Sequence, residues 1–283
     1  MPQPVRIAFL GCGFITAVHS RHLRALGADA VRTYASRDRT RADDYCRRFG
    51  GERAYGSYDQ AIDDPAVDAV VVAVPPAFHL DLTVRALDRG KHVLVEKPAF
   101  PRTADYAPAI AARDRARRVV IVGENDHYKP LAVRVRALLA DGAIGDMLLA
   151  HFVTIARRLK TSADWRNDEA VAGGDAFFEE GIHWLHLANS LGPRITRITG
   201  FRPEPLRRRR EAAETDRRAK TFMVAFQYDN GAAGALYYSR EVPSLFRGLR
   251  VSKIFGREGI VTFESNGLFV VVQGKTFPRV SVP

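Results

Sequence analysis

The 283 residues carry 46% apolar side chains, enough for one large or two modest hydrophobic cores and too many for a disordered chain. A formal charge of +11 invites a nucleic-acid partner, but the arginines are dispersed and the one dense run, Arg207 to Arg210, is followed by Glu211, Glu214 and Asp216 without any DNA- or RNA-binding motif. Cys12 and Cys46 build no disulfide framework, no apolar run spans a bilayer and no signal-peptide layout precedes the first strand, so a cytoplasmic protein with neither metal nor membrane contact is expected.

Residues 5–10, VRIAFL, read as a buried strand running straight into GCGFIT, and the spacing of Ile15, Val18, Leu23 and Leu26 then predicts a helix. Strand, glycine turn and helix N-terminus form a cradle for a pyrophosphate. Gly11 permits the tight turn, Gly13 lets backbone approach the ligand, and the helix end offers amides and positive dipole. Thr16 stands where a third glycine is usual. A second strand, Val31 to Ala35, ends where such a domain reads the adenosine ribose, and there the chain has Ser36 and Arg37 instead of a carboxylate. A hydroxyl and a guanidinium suit the 2′-phosphate of NADP, while Asp38 keeps NAD possible.

The segment VDAVVVAVPPAFH gives the most buried strand, ending at Val74 and breaking on Pro75 and Pro76, with His79 opening the next helix. GKHVLVEKP follows, residues 90–98. Its strand stops at Glu96, Lys97 and Pro98, which fixes a lysine at the sheet edge where ligands sit. A helix over 103–117, a strand over 119–123 and a helix over 131–141 continue the alternation, which implies right-handed crossovers, a parallel sheet and a first domain over 1–123.

Beyond Gly145 the rhythm changes. A long strand over 147–155, a helix over 175–191 and strands over 195–200, 221–228, 233–240, 249–255, 260–263 and 268–272 predict a mainly antiparallel sheet with one central helix, a second domain over 124–283. In the helix, Glu179 and His183 fall one turn apart on one face, so the carboxylate can set the imidazole's tautomer and orientation. With His186 they could instead ligate zinc, although neither a fourth ligand nor an H-E-x-x-H pattern is present.

In combination, GCGFIT, VDAVVVAVPPAFH, GKHVLVEKP, GEN followed by Pro130, GAIGD, the Trp165-Arg166 pair and AGGDAFFEEGIH resemble the glucose-fructose oxidoreductase and inositol dehydrogenase (Gfo/Idh/MocA) family, up to about residue 265. The resemblance implies an α/β chain with an N-terminal Rossmann parallel sheet and an α+β C-terminal domain whose mainly antiparallel sheet is open on one face. It implies Lys97 as the catalytic lysine of the EKP motif, often before a cis proline, with Glu179 and His183 at the acidic and histidine positions. Expected cofactor contacts are Gly11, Gly13, Phe14, Ile15, Ser36, Arg37, Val74, Pro75, His79, Glu96, Lys97, Asn125, Trp165 and Arg166. Expected substrate contacts are Lys97, Tyr128, Lys129, Arg166, Glu179 and His183.

The chain departs from the family pattern in places. Glu179 stands where Asp is common, His186 replaces a frequent Asp, Asp175 replaces a glycine, and members commonly continue beyond the point equivalent to Pro283, so a shortened second domain is expected. The expected activity is hydride transfer, with NADP favoured over NAD, between the nicotinamide and a secondary alcohol or ketone of a sugar, cyclitol or related polyol. A homo-oligomer joined through the open sheet face is expected as well. The alternatives are a reductase of a non-sugar ketone, dihydrodiol or imine, and a non-catalytic NAD(P)-binding sensor.

Overall fold

A computed structural model describes residues 3–157, 165, 168–175, 177–203, 220–243, 249–274 and 279–281. The chain divides into two compact units, Met1–Gly123 with Ala163–Gly173, and Glu124–Ser162 with Gly174–Pro283.

In the first unit β1 (Val5–Leu10), α1 (Phe14–His22), β2 (Ala30–Ala35), α2 (Arg39–Phe49), β3 (Arg53–Tyr55), α3 (Tyr58–Asp63), β4 (Ala69–Val72), α4 (His79–Asp88), β5 (His92–Glu96), α5 (Tyr106–Ala116) and β6 (Val120–Gly123) alternate. The strands pair in parallel in the order β3-β2-β1-β4-β5-β6. Helices cover both faces, which is why the central strands read as unbroken apolar runs. On one face Leu10, Val70, Val72, Val93 and Val95 join Ile62, Leu82 and Leu87 of α3 and α4. On the other, Phe9, Tyr34 and Val71 pack with Ala17 of α1 and Ala42, Tyr45 and Phe49 of α2. Asp38 caps α2 by accepting from the amides of Thr40 and Arg41. Strand order reverses between β1 and β4, and in such sheets the crevice outside those carboxyl ends is where ligands bind.

The second unit opens with α6 (Pro130–Ala140) and the long β7 (Met147–Ile155). The short α7 (Glu169–Ala172) belongs to the first unit, where it packs on the turn Pro76–Phe78. Then follow α8 (Ile182–Asn189), β8 (Ile195–Phe201), β9 (Thr221–Tyr228), β10 (Ala233–Ser239), β11 (Val251–Gly256), β12 (Ile260–Glu264), β13 (Val270–Gln273) and β14 (Arg279–Ser281). The sheet order is β14-β13-β12-β11-β7-β10-β9-β8, with β7 and β10 parallel and every other pair antiparallel. β7 alternates: Ala150, Phe152 and Thr154 are buried, whereas Leu149 on the opposite face is 52% exposed. The buried face meets Leu131, Val135 and Leu138 of α6 and Leu187 and Ala188 of α8.

The helix expected over 175–191 is not one continuous α-helix. Residues Phe177–Gly181 form a π-helical turn, and regular α-helix begins only at Ile182. Asp175 starts the turn by accepting from the amides of Phe177 and Phe178, and Gly181 lies against the Phe177 ring where a Cβ would not fit. β14 is an addition to the strands read from sequence, and the arginine run 207–210 lies outside the described residues. No helix among the described residues is long and apolar enough to cross a membrane.

Candidate active site

The candidate residues of the first unit lie at the carboxyl edge of the parallel sheet. Gly11 has φ +109°, and a Cβ there would stand 2.5 Å from the Ala73 carbonyl oxygen, so only glycine allows the chain to leave β1 beside β4. Around Gly13 the opposite holds: a Cβ would meet nothing within 4 Å, and α1 starts there with no side chain capping its amides. An uncapped helix N-terminus beside open backbone fits a pyrophosphate. Thr16, at the place of the missing third glycine, is fully buried and donates its hydroxyl to the Gly11 carbonyl at 2.6 Å, which holds the loop from within. Phe14 is 76% exposed above the loop, with Ile15 half-buried beside it. Burial pushes the Cys12 thiol up to about 12, so it fills space and is not a nucleophile.

At the end of β2, Ser36 is buried and accepts the Asp38 amide, while Arg37 is exposed and near enough to Tyr58 to act on its hydroxyl. Asp38 spends one carboxylate oxygen on the start of α2, with its pKa held low chiefly by the Thr40 hydroxyl.

Lys97 follows β5, half-buried, and the Lys97-Pro98 peptide is cis. Glu96 is not the solvated residue an isolated Glu-Lys turn would hold. It is 7% exposed, pairs with His19 Nε2 of α1 at 2.6 Å and accepts the Lys97 amide. The carboxylate thus links the helix of the glycine loop to the strand that carries the lysine. His79 lies inside, with Nδ1 against the Pro98 and Ala99 carbonyls and Nε2 against the Val74 carbonyl at 2.8 Å. Burial keeps its pKa down, and it ties the end of β4 to the segment after Lys97. Val74 and Pro75 are half-buried at that end, and Trp165 is half-buried in the returning segment of the first unit. Arg166 lies outside the described residues.

In the second unit the His183 imidazole gives Nδ1 to Glu124, whose Oε1 is 2.6 Å away. Glu124 is 8% exposed. Burial raises its pKa, but the His183 ring and the Asp126 amide outweigh that and hold the carboxyl below its ordinary range. Sequence spacing had assigned this role to Glu179, and the structure corrects it. Because the π turn shifts the angular relation of 179 to 183, the Glu179 carboxylate faces Arg240 Nη2 at 3.6 Å, and Glu180 binds the same guanidinium at 2.7 Å. His186 meets His127 Nδ1 through Nε2 at 3.0 Å, so the zinc set of Glu179, His183 and His186 is not assembled. Burial is the largest influence lowering the His186 pKa. Asn125 and Tyr128 are exposed on the turn Asn125–Tyr128 that packs on α8, and Lys129 is paired with Asp126 at 2.6 Å.

Residues 5–124 match the family model described as an oxidoreductase family with an NAD-binding Rossmann fold, and residues 132–262 match the GFO/IDH/MocA C-terminal domain. The chain belongs to the Gfo/Idh/MocA oxidoreductase family. Among curated relatives, inositol 2-dehydrogenase of Acidothermus cellulolyticus is 33% identical over 65% of this family member and 54% of its own length. D-xylose 1-dehydrogenase (NADP(+)) of Hypocrea jecorina is 35% identical over 53% of the chain and 39% of its own length. The chain thus spans about half or less of the length of these two relatives. The solved structure of levoglucosan dehydrogenase in complex with NADH and levoglucosan has a TM-score of 0.88 at 22% identity, covering 99% of this chain and 80% of that one, which shows a shared fold.

His19, Glu124, His127 and Arg240 are the site neighbours that sequence reasoning missed. Glu124 had a usable signal: like Lys97, it is an ionisable residue directly after a parallel strand. Gly11→Ala places a side chain on positive φ and against the Ala73 carbonyl, a strain of about 1–3 kcal/mol. Reduced-nicotinamide fluorescence titration should show dinucleotide affinity lost in that variant, together with a lower Tm.

Proposed function

We propose that this chain transfers hydride between NADP(H) and a secondary alcohol or ketone of a sugar, cyclitol or related polyol. The observation that carries the reading is the single sheet edge bearing both the open glycine cradle and Lys97. When bound, the nicotinamide accepts a hydride from the carbinol carbon or returns one to the carbonyl. The protein must then manage the hydroxyl proton. The residues assigned to that task are Lys97, at the sheet edge, and His183. Ser36 and Arg37 favour the 2′-phosphate, since a guanidinium binds it with charge-assisted hydrogen bonds and neither side chain repels it. The exposed side of the second sheet, with Leu149 and Tyr237 at its centre and Phe255 and Val153 beside them, is the face we assign to a second copy of the chain.

Titration with NADPH and NADH at two salt concentrations tests the cofactor assignment. NADPH should bind more tightly, and Arg37→Ala should erase a preference on the order of ten- to a hundred-fold while sparing NADH. Binding of neither nucleotide would overturn the oxidoreductase reading. Lys97→Ala should lower kcat by roughly 10²- to 10⁴-fold and leave NADPH affinity intact, and undiminished turnover would remove the lysine from the chemistry. Light scattering of the wild type should give a mass above one chain, and the double variant Leu149→Glu with Tyr237→Glu should give a monomer. A monomeric wild type at micromolar concentration would rule out that interface.

A further inference from the structure

We infer that Glu124 is the positioning residue that fixes His183 in its Nδ1–H tautomer and so makes Nε2 the atom that takes up the substrate's proton. The inference rests on the proposed hydride transfer and deepens it. The contact is short, 2.6 Å, and both side chains are largely enclosed, at 15% and 10% exposed. With its pKa held below the ordinary range, Glu124 is ionised and can only accept, so the shared proton sits on the ring nitrogen and the imidazole donates to Glu124. The Asp126 amide donates to the same carboxylate oxygen at 3.1 Å and holds it still. The neutral ring then carries its lone pair on Nε2.

That tautomer sets the direction of proton flow. In oxidation the hydroxyl O–H bond breaks, the carbinol C–H electron pair leaves as hydride to the oxidised nicotinamide, and the released proton ends on Nε2. His183 becomes an imidazolium stabilised by Glu124. In reduction the imidazolium gives that proton back to the new alkoxide. Sequence spacing credits Glu179 with the orienting role, but its neighbourhood is the guanidinium of Arg240 shared with Glu180.

Other charged groups near the dyad are already engaged. Asp126 is ion-paired with Lys129, His186 meets His127, and Arg136 donates to the His127 carbonyl at 2.6 Å. Glu124, Asp126 and His183 also lie close enough together to hold a cation. The direct hydrogen bond between Nδ1 and Oε1 favours a proton there, because a metal ligated by both would need that proton gone.

The test uses the full-length protein and two independent readouts. Long-range ¹H–¹⁵N spectra, with the signal assigned by its disappearance in His183→Asn, should show the neutral wild-type ring protonated on Nδ1. In Glu124→Gln, kcat for oxidation should fall roughly 10²- to 10⁴-fold, with NADPH binding and Tm near wild type. The same spectra should show the Nε2–H tautomer appearing in this variant, because the ring has lost its carboxylate partner. Glu124→Asp should recover part of the rate and of the Nδ1–H tautomer, which also serves if the glutamine variant folds poorly. A wild-type ring protonated on Nε2 overturns the inference. So does a kcat that stays intact in Glu124→Gln, or turnover lost to EDTA and restored by zinc. A ring protonated on Nδ1 in a protein that turns over no polyol would support the dyad and count against the proposed reaction instead.

Discussion

The carbonyl oxygen of Ala73 leaves room at residue 11 for a hydrogen atom and nothing larger. Because β1 and β4 are hydrogen-bonded neighbours and the strand order reverses between them, the chain leaving β1 must turn hard against the end of β4. Glycine is the residue that turns there at positive φ without a clash. The turn then delivers α1 with its first amides uncapped and facing open space, and Thr16 braces the loop from inside. From that point the edge is built by local ties: Glu96 reaches across to His19 of α1, and His79 bridges the end of β4 to the residues after Lys97. A lysine at the end of a strand is only as well placed as these ties make it.

The second unit solves a different problem, holding an imidazole at the start of a helix. Packing Phe177 against Phe222 and Tyr238 forces a wide π turn in front of α8, and Gly181 yields the space for that ring. The wide turn diverts Glu179 and Glu180 toward Arg240. His183 bonds instead to a carboxylate that arrives from outside the helix, Glu124. The price is a buried anion, which the imidazole and the Asp126 amide offset by direct hydrogen bonds.

Much of the first unit was legible in the residues. Strand and helix periods, the Gly11 and Gly13 loop, and the lysine closing GKHVLVEKP are local signals, each needing only a few neighbouring residues to read. What stayed hidden were pairings across large sequence separations, such as His19 with Glu96 and His183 with Glu124. The parallel contact of β7 with β10 inside an otherwise antiparallel sheet is equally non-local. Periodicity showed that 175–191 contained a helix, but it could not show that one turn of it widens, since the packing of Phe177 and Gly181 decides that.

By itself, the sequence determined the alternation of strands and helices, the site of the dinucleotide cradle and the candidacy of Lys97 and His183, because apolar period, glycine and proline act over a few residues. Only the tertiary structure decided which carboxylate His183 answers to, since that depends on which side chains are brought within hydrogen-bonding distance after burial has excluded water. Burial also makes the choice consequential: an enclosed imidazole keeps the partner that satisfies it, and here that partner is Glu124.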